Sequence, residues 1–297
     1  MGGTTSPTAV ELPTPPSHRL PAVIRVLRPP QWPKNLLVLA APIAAGRLFE
    51  WSVAGPALAA TIAFTLISAA IYVINDLRDA EADRNHPRKR FRPIAAGELS
   101  RPAALVVLGI VTVAGFGLAL WIGWPLLTVL VIYVIFQLGY SFGLKNQPII
   151  DLALITAGFL LRAIAGGVAC GIPLSQWFLL VAGFGSLFIV AGKRYSEIVT
   201  VGAEAGTRRS LTSYTPGFLR ATWVIAATLV VISYSLWAFD AFDPTSTWFG
   251  LPWAALSIAP FTLAILSYAR VIESAQAGAP EEALVRDPVF LSMGAVW

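Results

Sequence analysis

The sequence predicts an all-α integral membrane protein, a bundle of about nine transmembrane helices. Three observations point there. The 297 residues are 56% hydrophobic and only 12% charged, where a soluble domain carries about 25% charged residues. Apolar runs approaching the roughly 20 residues that cross a bilayer recur along the whole chain. Lys and Arg gather in alternate connections between those runs, as the positive-inside rule demands of a multi-pass protein.

The runs lie at 36–50, 56–75, 103–122, 125–143, 149–170, 174–192, 221–239 and 250–269. The first is short and needs its flanks to span. A ninth begins near Val289 and stops at Trp297, which reads as a truncated span. Residues 1–21 are rich in Pro, Thr and Ser, lack the apolar core of a signal peptide, and read as a disordered cytoplasmic tail ahead of one membrane domain, 22–297. Ten Trp and 22 Pro suit a membrane protein. Cys170 is the single cysteine, so there is no disulfide framework.

Of the 21 Lys and Arg, all but Arg47 and Arg162 fall at the N-terminal side or after even-numbered runs. That places the N-terminus and the long loops, about 76–102 and 193–220, in the cytoplasm. Long polar loops in a compact bundle tend to carry function, so the chemistry is expected on that face. Net charge is +5, and the basic residues follow the topology. No nucleic-acid partner is expected, and a homo-oligomer stays open.

The informative stretch is NDLRDAEADRNHPRKRFRPIAAG, which starts at Asn75. Asn75, Asp79 and Asp83 are spaced i, i+4, i+8, so a helix continuing out of the second run stacks them on one face, with Asp76 alongside. Like charges at that spacing repel. Either the local bases neutralise them, or a divalent cation does. Mg²⁺ takes oxygen ligands and shares itself between one or two carboxylates and substrate phosphates. The basic run HPRKRFRP reads as a topology signal, a lipid-headgroup patch, or a set of cations for phosphate oxygens. Lys34, in PPQWPKN, lies on the same side.

Arg162 lies well inside the fifth run, where a charge usually faces a polar cavity or a carboxylate. It reads as the floor of a pocket, or as an ion-pair partner for Asp151 three turns earlier. Lys145 and Tyr140, in YSFGLK, sit at the end of the fourth run and read as a snorkelling anchor or a phosphate contact. AGGVACG, in the fifth run, lets helices pack closely.

The Asn75 stretch resembles the first Asp-rich motif, N-D-x-x-D-x-x-x-D, of the UbiA superfamily of intramembrane prenyltransferases. YSFGLK and LLRAIAGG are also similar to that superfamily, and the likeness covers nearly the whole chain. It implies a nine-helix bundle in the bacterial plasma membrane, a pocket on the cytoplasmic side and a Mg²⁺-bound diphosphate. The chain departs from the pattern after the sixth run. Most members carry a second Asp-rich motif there, but this sequence has AGKRYSEIVTVGAEAGTRRSLTSYT, in which Lys193, Arg194, Arg208 and Arg209 outweigh Glu197 and Glu204. RPPQWPKN, FGSLFIVAGKRYSE and RRSLTSYT resemble one branch, the phosphoribosyltransferases acting on polyprenyl phosphates. That resemblance implies phosphoribosyl pyrophosphate (PRPP) as donor, a polyprenyl (decaprenyl) phosphate as acceptor, and a product destined for cell-wall arabinan.

On that reading Asn75, Asp76, Asp79 and Asp83 bind Mg²⁺, and Lys34, Asn35, Arg88, Lys89 and Arg92 bind the donor, with Tyr140, Lys145 and Arg162 as further substrate contacts. Lys193 and Arg194 take the lipid phosphate. Tyr195 and Glu197 contact ribose hydroxyls, Tyr195 reading equally as an interfacial anchor, and Asp79, Asp83, Lys193, Tyr195 and Glu197 form the catalytic set. A phosphate monoester has its second pKa at about 6 and is already a nucleophile near neutrality, which suits a chain whose only histidines are His18 and His86. Two rivals remain. An ordinary UbiA prenyltransferase with an aromatic acceptor calls for two acidic motifs. An anion transporter calls for several midplane charges and broken helices.

Overall fold

The computed structural model describes residues 20–201, 214–240, 247–248, 251–274 and 287–297. The expected tail up to Arg19, with His18, lies outside the described residues, as do Glu204, Arg208, Arg209, Arg286 and most of RRSLTSYT.

Prolines shape the start of the chain. A four-residue helix, α1 (Ala22–Arg25), is followed by a 3-10 stretch, Pro29–Leu39, and then a five-residue helix, α2 (Ala40–Ala44). Pro29, Pro30 and Pro33 each remove a backbone donor, which disfavours a continuous α-helix over the 3-10 stretch. The expected first span, 36–50, is therefore not a crossing helix.

From Trp51 the helices lengthen: α3 (Trp51–Arg84), α4 (Arg101–Ile122), α5 (Trp124–Ser141), α6 (Ile150–Ala169), α7 (Gln176–Val201) and α8 (Pro216–Asp240). A two-residue pairing of β1 (Thr247–Trp248) with β2 (Leu251–Pro252) precedes α9 (Trp253–Leu256) and α10 (Ile258–Glu273). The last helix, α11 (Pro288–Val296), has nine residues. Among the described residues, seven helices are long and apolar enough to cross a membrane, α9 and α10 counting as one run. Among the described residues, the first expected span is not among these seven, because proline-rich 3-10 structure interrupts it.

Single glycines turn the short connections. Gly123, alone between α4 and α5, has φ +151°, and Gly171, after α6, has φ +63°. Side chains other than glycine rarely adopt that backbone.

The chain divides into two compact units. One contains the residues up to Asn35 with Ile62–Leu118, and the other Leu36–Thr61 with Ala119–Trp297. In the first, Val73 and Ala80 of α3 pack with Val26, Ile94, Leu99 and Ala104. In the second, α7, α8 and α10 enclose Phe188, Tyr195, Leu219, Trp223, Tyr268 and Ile272. The Phe188 and Tyr268 rings meet edge to face, with centroids 5.4 Å apart, a preferred aromatic geometry. Leu105, Val106, Ile110 and Val113 on α4 are exposed apolar side chains, as a lipid-facing helix requires.

The close packing expected from AGGVACG is present. A Cβ added at Gly166 on α6 would lie 1.7 Å from the Val38 carbonyl oxygen. Gly166→Ala should therefore force backbone apart and lower the melting temperature, on the scale of overpacking, about 1–3 kcal/mol or more. Gly117→Ala, where nothing lies within 4 Å, should leave it unchanged. Thermal unfolding of both variants in detergent checks this.

Candidate functional site: two ionic clusters

The first cluster belongs to the unit containing the cytoplasm-assigned end of α3. The helix does continue without a break through Arg84. At 100° per residue, Asn75, Asp79, Asp83 and Asp76 fall within about 100° of arc. The four do not share one environment. Asp76 and Asp83 extend the buried stripe of Val73 and Ala80, three or four residues apart each time, and their side chains are 2% and 5% exposed. Asp79 lies on the flank, 37% exposed, and accepts two hydrogen bonds from its neighbour Arg78, at 2.8 and 3.0 Å.

The stretch after the helix folds back to neutralise the buried pair. Nη1 of Arg92 donates to Asp83 Oδ2 at 2.6 Å and lies 3.2 Å from Asp76 Oδ1. The loop that brings it there is organised by His86, whose Nδ1 accepts the backbone N–H groups of Arg88 and Lys89, each at 3.2 Å. A short 3-10 turn, Lys89–Phe91, follows. Arg88 and Lys89 are exposed.

Arg28 completes the arrangement. It is bonded to Asp76 and stacks over the Tyr72 ring, 4.9 Å from its centroid. Its φ of +54° is uncommon for a residue with a Cβ, and the α region is disfavoured before Pro29. Sequence reading counted Arg28 only as a topology charge. Its position ahead of two prolines was the available signal.

Lys34 folds back onto Gln31, at 2.6 Å. Asn35 is buried, and its amide donates to Thr65 and Ser68, both at 3.1 Å, about three turns from the carboxylates along α3. Asn35 therefore ties the 3-10 stretch to α3.

Asn75 Oδ1 is buried and accepts no hydrogen bond from the described residues. A bare carbonyl oxygen beside carboxylates suits a hard cation. Among the described residues, no three His, Cys, Asp or Glu side chains come together closely enough to hold a metal by themselves. The donor set therefore fits a cation that takes its remaining ligands from water and substrate phosphates, the habit of Mg²⁺.

The second cluster belongs to the other unit. Arg194 on α7 donates to both oxygens of Asp151 on α6, at 3.2 and 3.3 Å, and to Glu197 Oε2 at 2.8 Å. Asp151 is fully buried and Arg194 4% exposed. Of the two readings of Arg162, pairing with Asp151 is excluded, because Asp151 is committed to Arg194. Arg162 donates instead to the Gly158 carbonyl at 2.7 Å and the Tyr133 hydroxyl at 3.2 Å, with its guanidinium over the Tyr133 and Phe159 rings.

Lys193, next to Arg194, is half-buried, and no carboxylate among the described residues pairs with it. Tyr195 points elsewhere, 100° around the helix. Its ring packs against Trp223 and its hydroxyl reaches Glu273 at 3.4 Å. That environment belongs to the core. Tyr140 is close enough to Arg194 to interact electrostatically, and Lys145 is half-buried on the connection from α5 to α6. The same connection ends at Ile149, whose φ is +67° and whose N–H donates to the Tyr214 hydroxyl at 2.7 Å. Burial pushes the Tyr214 phenol above its usual pKa, so it stays protonated there. Neither Asp151 nor Tyr214 was singled out as a site residue, since their partners lie 43 and 65 positions away.

The model of the UbiA prenyltransferase family matches residues 36–294. The chain belongs to the UbiA prenyltransferase family. It is 48% identical over 294 residues to the decaprenyl-phosphate phosphoribosyltransferase of Corynebacterium glutamicum, covering 95% of this chain and 86% of that one. It is 46% identical over 299 residues to the enzyme of the same name from Mycolicibacterium smegmatis, with 95% and 92% covered. In fold it resembles a UbiA homolog from Archaeoglobus fulgidus bound to GPP and Mg²⁺, at a TM-score of 0.69 and 19% identity, covering 93% of this chain and 96% of that one. The fold is thus a UbiA-type membrane bundle, and the transporter reading finds no support.

The second cluster generates a stability prediction. Removing one partner of a buried ion pair strands the other, typically at about 3–5 kcal/mol. Asp151→Ala should therefore destabilise the protein severely. Glu197→Ala, removing a carboxylate that is 28% exposed, should cost about 1 kcal/mol or less. Asp151→Ala combined with Arg194→Met should recover part of the loss. Unfolding of the three variants in detergent distinguishes these outcomes.

Proposed function

We propose that this protein transfers the 5-phosphoribosyl group of PRPP to a polyprenyl phosphate, with decaprenyl phosphate the acceptor its relatives' names suggest. The observation that carries the reading is 45–48% identity over 95% of the chain to relatives named for that activity. The distribution of Lys and Arg supports a reaction on the cytoplasmic side of a bacterial plasma membrane. Through its product the reaction would supply cell-wall arabinan.

A phosphate oxygen of the lipid attacks the anomeric carbon of the ribose. The bond from that carbon to the diphosphate breaks, and pyrophosphate leaves with the electron pair. The nucleophile is already ionised, so no general base is required. The demand is on the leaving group and on a transition state with positive charge on the sugar ring.

Mg²⁺, when bound, neutralises charge on the departing diphosphate. Asn75, Asp79, Asp83 and Asp76 would hold it. Arg88, Lys89 and Arg92 orient the phosphate oxygens, and Lys34 adds a fourth cation. Lys193, with no carboxylate partner among the described residues, receives the lipid phosphate. Arg194 acts as a positioning residue, since two carboxylates already claim it.

The test is incubation of purified protein with labelled PRPP and a polyprenyl phosphate, with and without Mg²⁺. A lipid-linked, Mg²⁺-dependent product is expected. Asp79→Asn should lower its rate on the order of a hundredfold, the scale of losing one charge-stabilising group. Lys193→Ala should raise KM for the lipid more than it lowers kcat. Prenylation of an aromatic acid from a prenyl diphosphate, with no product from PRPP, would overturn the reading.

A further inference from the structure

We propose that Arg92 is an exchangeable counter-cation: it holds Asp76 and Asp83 while the metal is absent, and releases them when metal and diphosphate arrive together. The inference rests on the metal-diphosphate reading above and goes beyond it, because it assigns an order and a coupling to the two binding events.

The argument begins with burial. Two carboxylates that are 2% and 5% exposed cannot stay ionised without a cation beside them. Arg28 and Arg92 supply the charge, so the four groups sum to zero. Asp79 and Arg78 form a second neutral pair. A divalent cation entering alone would add two uncompensated charges to a partly desolvated cluster. Entering with a diphosphate, it brings its own counter-charge.

The two arginines are held differently. Arg28 sits on a left-handed backbone before Pro29, with its guanidinium stacked over Tyr72. That combination fixes it on Asp76. Arg92 extends from the loop just after the Lys89–Phe91 turn, and a single nitrogen, Nη1, makes both of its carboxylate contacts. Its side chain remains 26% exposed. Rotation of one side chain moves that charge from carboxylate to phosphate without disturbing α3. A guanidinium binds phosphate and carboxylate oxygens through the same fork of donors, so the exchange conserves its hydrogen bonds. Beside the vacated carboxylates lies the bare oxygen of Asn75. Linkage requires that the donor tighten metal binding by the factor by which metal tightens donor binding.

The experiment measures binding and needs no turnover. Mn²⁺ is titrated into purified protein and the free ion read by electron paramagnetic resonance, without and with inorganic pyrophosphate or PRPP. The wild-type protein should bind Mn²⁺ about tenfold or more tightly with the anion than without it, after correction for Mn²⁺ bound to the free anion. Arg92→Gln should bind Mn²⁺ alone about tenfold more tightly than wild type, since it leaves a buried negative charge, and should lose most of the enhancement. Equal affinity with and without the anion in wild type would overturn the exchange, even if Arg92→Gln fails to fold. So would a folded Arg92→Gln that behaves as wild type. Failure of the metal reading itself looks different: no Mn²⁺ is bound under either condition, or the bound Mn²⁺ is indifferent to Asp79→Asn.

Discussion

Two carboxylates on the buried face of a helix end impose the main constraint on the first unit. Asp76 and Asp83 occupy positions that the α3 stripe would otherwise give to apolar side chains, in line with Val73 and Ala80. Ionised carboxylates there cost several kcal/mol each unless cations and hydrogen bonds surround them. The neighbouring chain is organised to supply both. His86 tightens the loop after α3, which delivers Arg92. The proline-rich start of the chain turns at Arg28 through an unfavourable backbone conformation that aims a guanidinium at Asp76. Arg25 pairs with Glu98 and Arg101 donates to the Leu77 carbonyl, tying the same segments down from their margins. A stability-optimised bundle would place leucine at both aspartates. Their presence, with this much structure devoted to them, supports the proposed site.

The second unit answers the same problem in another way. Asp151 and Arg194 are buried and satisfy each other through both carboxylate oxygens, with the partly exposed Glu197 as a third member. Nothing there is poised to exchange. Such a pair joins α6 to α7 and fixes the rotation of α7, and with it the direction of Lys193. The strained Ile149, held by Tyr214, lies two residues before Asp151, so the connection carrying Lys145 is anchored at the same place. Backbone strain of this kind persists only where surrounding contacts over-determine it.

Much of this was legible in the sequence, and the limits have physical causes. Apolar run length and the alternation of Lys and Arg gave the membrane class and most helices, because both respond to the bilayer, a constraint local to each segment. The first run misled for a local reason too: hydropathy averages over prolines, while the cluster Pro29, Pro30 and Pro33 favours a 3-10 stretch over a continuous α-helix. The helical continuation through Asp83 followed from periodicity. What periodicity could not reveal was the partners. Arg92 against Asp83 was within reach of a guess at nine residues' separation, and Arg92 was named for its charge. Arg28 against Asp76 and Arg194 against Asp151 span 48 and 43 residues, and only the fold brings them together. Tyr195 shows the converse. Its place in a polar motif suggested a substrate contact, but one step around a helix is 100° and carried it into the core.

The basic character of the sequence over 193–220 follows from the same electrostatic logic once the proposed acceptor is considered. An aromatic acceptor arrives neutral or singly charged and must be activated as a nucleophile. A polyprenyl phosphate arrives with its nucleophilic oxygen already ionised. It requires a cation to draw it from the membrane surface and to offset repulsion from a diphosphate donor of the same sign. A second set of carboxylates would oppose that approach. Lys193, half-buried and unclaimed by any carboxylate among the described residues, supports it. Under the proposed function, carboxylates and metal would serve the leaving group and a basic side chain the incoming one, and the departure of this chain from a two-acidic-motif pattern would follow from the acceptor's own charge.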